Sequence, residues 1–271
     1  MRVLWLMALG VAALTSCVQP EALHKNEIIG HTLAVTVQVL VERADGVRRS
    51  GSGVVLTNEA QPGRTLILTA YHLVEPPAEQ SIHVVLPRGD EQLEASLIGS
   101  DPEVDLALLE TGALPAAPVT LDAEAQLGDD VWVVAFPWGG HRTVVKGVVS
   151  QVATTDPDHA SITGPVNLID ASVSHGMSGG GVFTADTGSL IGLVRGYRTA
   201  QLALPGAGGE PLNLPVAAET TVISTADIIC FLSASRFADL IPSVTSAPHR
   251  TGRPNSPTRA RQQVWACPPT E

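Results

Sequence analysis

Lysine is nearly missing from this sequence: Lys25 and Lys146 are the only two in 271 residues. With 16 Lys and Arg against 27 Asp and Glu, the formal net charge is −11. A chain so poor in cations cannot neutralise a run of phosphates, which excludes a nucleic-acid binder that tracks the backbone. The sole basic cluster, Arg250, Arg253, Arg259 and Arg261, stands among Pro, Thr and Ser and reads as a solvated tail. Long apolar runs are also lacking; the longest, from Val3 to Leu14, is too short to cross a bilayer comfortably. No repeat of solenoid length is visible, and helical periodicity is absent until about Thr225. What is present, 44% hydrophobic and 16% charged residues, suffices for a full core in one compact unit of two subdomains.

Arg2 ahead of the Val3 to Leu14 stretch gives the pattern of a signal-peptide core. The following Leu14-Thr15-Ser16-Cys17 resembles the lipobox of bacterial lipoproteins, in which the cysteine becomes the lipidated first residue. The plain alternative is a secretory signal with a chance cysteine. The lipobox reading makes 1–16 the signal peptide and 17–27 a tether, with the rest of the chain in the aqueous envelope. Val18, in place of an Asp after the cysteine, points to the outer membrane.

Cys230 and Cys267 then remain as a pair, which an oxidising compartment permits to form a disulfide. Cys230 lies in an apolar stretch suited to a terminal helix over about 225–240. Cys267 lies in a Pro-, Ser- and Arg-rich tail, 241–271, of linker composition. Equally open is a buried Cys230 with a free Cys267.

The middle of the chain reads as short strands. Segments 33–41, 65–69, 82–86, 131–135 and 190–194 are β-branched or apolar runs bounded by Gly, Pro, Asp or Asn, the pattern of an all-β barrel or sandwich. Within this frame, His175-Gly176-Met177-Ser178-Gly179-Gly180-Gly181 can hold a serine hydroxyl on a sharp turn with N–H groups converging beside it. The same composition also makes ordinary hairpin turns. A serine nucleophile needs a base of near-neutral affinity for protons, and the base needs a carboxylate to fix its tautomer. His72, at the end of the apolar run Leu66-Ile67-Leu68, and Asp105, opening Leu106-Ala107-Leu108-Leu109, supply both, in the order His, Asp, Ser.

Five segments in order then resemble a trypsin-like serine protease of the bacterial HtrA type. They are Gly51-Ser52-Gly53-Val54-Val55; Leu68-Thr69-Ala70-Tyr71-His72-Leu73-Val74; the segment from Gly99 to Leu109, which selects Asp105 over Asp101; the segment from Leu127 to Gly139 with Lys146-Gly147-Val148-Val149-Ser150; and Asp170-Ala171 ahead of the Ser178 loop. The resemblance implies a chymotrypsin-like double six-stranded β-barrel with a C-terminal helix. The protease domain would be 28–240, with barrel 1 about 28–125 and barrel 2 about 126–222. It implies a serine endopeptidase acting on protein or peptide substrates without cofactor or metal. Ser178 would be the nucleophile, His72 the base and then acid, Asp105 its orienter, and the N–H groups of Gly176 and Ser178 the oxyanion hole.

Two departures limit the carry-over. Met177 replaces the Asn or Asp usual before the serine, so a salt bridge from a newly cut N-terminus is not expected. About 30 residues follow the terminal helix, too few for a PDZ domain. Ser172 would form the floor of the primary pocket, Val194-Arg195-Gly196 its wall, and His175 its mouth. A small or aliphatic substrate side chain fits Ser172, while Arg195 either attracts an acidic one or points to solvent. An inactive trypsin-fold scaffold and a non-catalytic all-β envelope-binding lipoprotein are the competing readings; oligomeric state is not indicated.

Overall fold

The central strands of this protein, at Arg64–Ala70, Leu106–Gly112, Asp130–Ala135 and Gly181–Thr184, bury both their faces, which is why such segments read as near-continuous apolar runs rather than as alternating ones. The computed structural model describes residues 25–56, 63–75, 80–86, 91–115, 119–153, 161–204 and 212–234. After helix α1 (Lys25–Ala34) come β1 (Thr36–Arg43), β2 (Arg48–Leu56), β3 (Arg64–Ala70), the single turn α2 (Tyr71–Val74), β4 (Gln80–Val85), β5 (Gln92–Asp101) and β6 (Leu106–Gly112). These six strands close antiparallel in the order β1-β2-β3-β6-β5-β4, with β1 against β4 completing the ring. A short β7 (Ala125–Gln126) leads to β8 (Asp130–Ala135) and β9 (Thr143–Val152), and β10 (Thr163–Gly164) pairs back on β7. With β11 (Val166–Asp170), β12 (Gly181–Thr184), β13 (Leu190–Leu204) and β14 (Leu212–Ser224), a second ring closes as β11-β14-β13-β12-β8-β9. Helix α3 (Thr225–Ala234) follows.

The side-chain alternation divides the core in three. In β3, Ile67 joins Val39, Val55 and Leu109 inside the first barrel, while Leu66 and Leu68 face outward. In β6, Ala107 and Leu109 likewise go in, and Leu106 and Leu108 go out. The outward set meets Val134, Phe183, Leu193 and Ile223 of the second barrel and Ile228 and Leu232 of α3 in a shared cluster between the barrels. The second barrel is filled by Val131, Val133, Val149, Ile169, Val182 and Ile191. Each such Leu, Ile or Phe contributes roughly 1.5–3 kcal/mol relative to exposure, so the apolar layer between the barrels fixes their relative placement.

Both barrels and a helix opening at Thr225 are as expected; α1 is not. The sequence shows no long stretch of helical periodicity before about Thr225 and an apolar strand-like run from Leu33, whereas Lys25–Ala34 is helical and β1 begins at Thr36. The periodic signal is weak because only Ile28 and Thr32 of α1 are buried, one i, i+4 pair with a single large apolar member. Tertiary contacts hold the helix instead. Lys25 Nζ lies 4.9 Å from the centre of the Trp132 ring, and locally, at the C-terminal end, the Thr36 hydroxyl donates to Thr32 C=O at 2.7 Å. The expected signal peptide, the lipobox cysteine Cys17, the helix beyond Ala234, the tail and Cys267 lie outside the described residues. Cys230, on α3, is disulfide-bonded.

Candidate active site

Asp105 is built into the first barrel in a conformation that non-glycine residues seldom adopt, with φ 68°. Aspartate is among the few side chains that tolerate this region, and the strain has a use. From it the Asp105 C=O accepts the Tyr71 N–H at 2.8 Å, Oδ1 accepts the His72 N–H at 2.8 Å, and Oδ2 lies 2.8 Å from His72 Nδ1. One residue thereby fixes both the start of α2 and the imidazole that α2 carries. With Nδ1–H donated to the carboxylate, Nε2 is left as an acceptor. Asp105 is 8% exposed whereas His72 is exposed, so the acid is sheltered and the ring faces solvent.

Ser178 comes from the second barrel, on the loop between β11 and β12. The loop docks on the first barrel where the His72 strand ends. Ser52 N–H donates to Ser178 C=O at 2.8 Å, and the Thr69 hydroxyl donates to Ser52 C=O at 2.7 Å. Gly179, at φ 79°, has no room for a side chain: a Cβ would stand 2.2 Å from Ser52 O and 2.5 Å from Thr69 Oγ1. Gly176, at φ 89°, is pressed as closely, with Phe136 O 2.5 Å and Trp138 N 2.8 Å from the Cβ position.

The N–H groups of this loop are used selectively. Met177 N–H donates to Ser174 C=O at 3.2 Å, Gly179 N–H to Val194 C=O at 2.8 Å and Gly180 N–H to Met177 C=O at 2.9 Å. Among the described residues no acceptor takes the N–H of Gly176 or of Ser178. The Ser178 hydroxyl, likewise, has no hydrogen bond to His72.

The remaining expected site residues distribute as follows. Met177 is 2% exposed and packs in the second-barrel core, its Sδ accepting the Ser174 N–H at 3.3 Å. Val194 is 1% exposed, and its backbone pairs with Gly179 and Gly180, so it supports the serine loop from beneath. Ser172 is exposed just before the loop, and Gly196 is half-buried on β13. His175 is exposed between two aromatic rings: Trp138 lies 5.1 Å from it, Tyr197 5.8 Å, and Tyr197 OH is 3.1 Å from Nε2. Arg195 is exposed, and its side chain is also tied toward the first barrel. Its Nε lies 3.7 Å from Asp105 Oδ2, and Nη2 donates to Glu103 C=O at 3.3 Å.

Three contributors lacked a reading as site residues in the sequence. Ser52 belongs to a recognised motif but its place against Ser178 depends on how two barrels meet. Trp138, 73% exposed with φ 57°, and Tyr197 flank His175 from opposite sides. A tryptophan placed in the turn composition Pro137-Trp138-Gly139-Gly140 is the signal that was available in the sequence. Among the described residues no three His, Cys, Asp or Glu side chains are grouped to hold a metal ion.

Two closed six-stranded barrels meeting over an aspartate-held histidine define the chymotrypsin-like class of fold. Residues 51–193, more than half of the chain, match the trypsin-like peptidase domain, and the protein belongs to that family. Over 152 residues it is 34% identical to the serine endoprotease DegS of Escherichia coli (strain K12), covering 54% of this chain and 39% of DegS. Over 183 residues it is 31% identical to the serine protease Rv3671c of Mycobacterium tuberculosis (strain ATCC 25618 / H37Rv), covering 65% of this chain and 43% of that protein. The chain thus spans less than half the length of these curated relatives. The crystal structure of the Rv3671c protease from M. tuberculosis in its active form shares the fold, with a TM-score of 0.58 at 24% identity over 77% of this chain and 83% of that one.

Proposed function

We propose that the protein is a serine endopeptidase that cleaves peptide bonds in cell-envelope proteins through Ser178, His72 and Asp105. The observation that carries this reading is the pair of unengaged N–H groups at Gly176 and Ser178, on a loop whose amides at Ser174, Met177, Gly179 and Gly180 are all bonded. In this mechanism His72 Nε2 takes the proton of the Ser178 hydroxyl as that oxygen attacks the scissile carbonyl. The serine–histidine contact is of a kind that commonly tightens only with substrate in place. The two free N–H groups receive the oxyanion, where losing one donor typically costs about 3 kcal/mol of transition-state stabilisation. Asp105 holds the tautomer and stabilises the imidazolium. His72 then protonates the leaving amine, an acyl-enzyme forms on Ser178, and water releases it.

A small or aliphatic side chain is the proposed occupant of the primary pocket above Ser172. The bonds of Arg195 to Asp105 and Glu103 draw its charge away from the role of receptor for an acidic side chain. Cys17 is proposed as the lipidated residue that anchors the protein to the outer membrane, and Cys267 as the disulfide partner of Cys230.

A fluorophosphonate probe tests the central claim without knowledge of the substrate. The purified protein is expected to be labelled at Ser178, and Ser178→Ala is expected to show no labelling. Absence of labelling in a folded wild-type sample would overturn the peptidase reading in favour of an inactive scaffold.

A further inference from the structure

Three consecutive peptide planes carry the chain from His175 to Ser178, and each is held by its own partner. A trans peptide points its C=O and N–H to opposite sides. His175 C=O accepts the Trp138 N–H at 2.6 Å, which turns the Gly176 N–H the other way. Met177 C=O accepts the Gly180 N–H at 2.9 Å and does the same for the Ser178 N–H. The plane between them is held at its carbonyl: the Ser52 hydroxyl donates to Gly176 C=O at 2.8 Å.

That hydroxyl has a second bond. It accepts the Phe136 N–H at 2.9 Å, and Phe136 opens the turn from which Trp138 reaches His175. A single oxygen from the first barrel thus ties together the loop that bears Gly176 and the turn that aims it. The Ser52 N–H and C=O are engaged with Ser178 and Thr69, and the residue is fully buried. Every polar atom of Ser52 therefore serves the serine loop, its Trp138 turn or the strand leading to His72.

We propose that Ser52 is the positioning residue of the anion-binding loop. Its hydroxyl fixes the Gly176 peptide and the Phe136 turn behind it, so that the Gly176 and Ser178 N–H groups converge without a charged activating partner. The side chain between those two donors is Met177, which is buried in the second barrel and offers no carboxylate for such a partner to engage. Burial of Met177 and the Ser52 hydroxyl hold the loop from opposite sides.

This inference rests on Ser178 being the nucleophile, and the test separates the two. The second-order rate of fluorophosphonate labelling at Ser178 reports the anion site, because the phosphonyl oxygen occupies it. Ser52→Ala leaves the half-buried Gly176 carbonyl and the buried Phe136 N–H without their partner. Its labelling rate is expected to fall about 10- to 100-fold, toward the loss seen on removing an anion-hole donor. On a chromogenic peptide the loss is expected in kcat, with KM within about twofold. Ser52→Cys keeps the size and a weak donor and is expected to recover part of the rate; it carries the test alone if the alanine variant does not fold. A labelling rate within about twofold of wild type in folded Ser52→Ala, or in Ser52→Cys where the alanine variant does not fold, overturns the proposal. So does a loss that tracks a fall in Tm equally in both variants, because that marks Ser52 as structural only. A wild type that is not labelled refutes the peptidase reading instead.

Discussion

Asp105 makes a double claim on His72, through the main-chain N–H and through the ring, and this divides the work of its two carboxylate oxygens. Asp105→Asn separates charge from shape. The Asn oxygen can keep the His72 N–H, but its NH₂ then faces Nδ1 and forces the ring proton onto Nε2, where it blocks acceptance from Ser178. The expected result is a fall in kcat on the order of 10⁴, the size seen for the same change in a triad of this type, with Tm close to wild type. Steady-state kinetics beside a thermal melt checks it, and a kcat within tenfold of wild type would remove Asp105 from the mechanism. At this scale the sequence was most legible. Serine, histidine and aspartate are the residue types that the chemistry demands, and His72 and Asp105 stand at the ends of recognisable apolar runs. What could not be read were the contacts made by sequence-distant surfaces: the Ser52 hydroxyl beneath Gly176, and Arg195 reaching from β13 to Asp105 and to the Glu103 carbonyl.

Among the elements, strands that bury both faces were visible as apolar runs, whereas α1 was not, because its packing depends on Trp132 and on the β12–β13 turn rather than on its own periodicity. The segment that joins the barrels is similarly hidden in sequence. Leu190 N–H donates to Thr120 C=O at 2.8 Å and Asp122 N–H donates to Leu190 C=O at 2.9 Å, so the connector is stitched to the start of β13. This docking has an electrostatic cost at Asp122. Burial pushes its carboxyl above the usual aspartate range, and Glu124, Asp129 and Asp186 add to that, against a lowering by the Glu124 N–H. A folded-state pKa above the unfolded value means that stability is full while the carboxyl is protonated in both states. It is lost as pH rises from the unfolded value through the raised folded one, and the loss persists at neutral pH. Asp122→Asn keeps an acceptor for the Glu124 N–H, which the carboxylate holds at 3.2 Å, and removes the charge. Its Tm is expected to exceed that of wild type at pH 7, with the difference vanishing near about pH 3. Equal melting temperatures at both pH values would show that the connector bears no such cost.

For the whole molecule, the two barrels form one interlocked body whose proposed catalytic groups come from opposite sides of the interface: His72 and Asp105 from the first barrel, the Ser178 loop from the second. Where that body works is a question for the N-terminus. Among the described residues no helix is long and apolar enough to cross a membrane, and the proposed anchor is the lipid on Cys17, whose acyl chains would contribute about 0.8 kcal/mol per buried CH₂. The geometry then constrains reach. Helix α1, packed on the second barrel, begins at Lys25, eight residues after Cys17, and eight residues extend to no more than about 29 Å. Anchored in this way, the barrels would stay close to the bilayer and act on substrates presented there rather than throughout the envelope. Cys17→Ser tests the anchor. Wild-type protein expressed in a Gram-negative host is expected to partition into the detergent phase of a Triton X-114 extraction, with processing blocked by globomycin. The serine variant is expected in the aqueous phase with its fluorophosphonate labelling rate unchanged, since Cys17 precedes every element that builds the site. If both proteins partition alike, the lipid anchor is refuted while the peptidase reading is left intact.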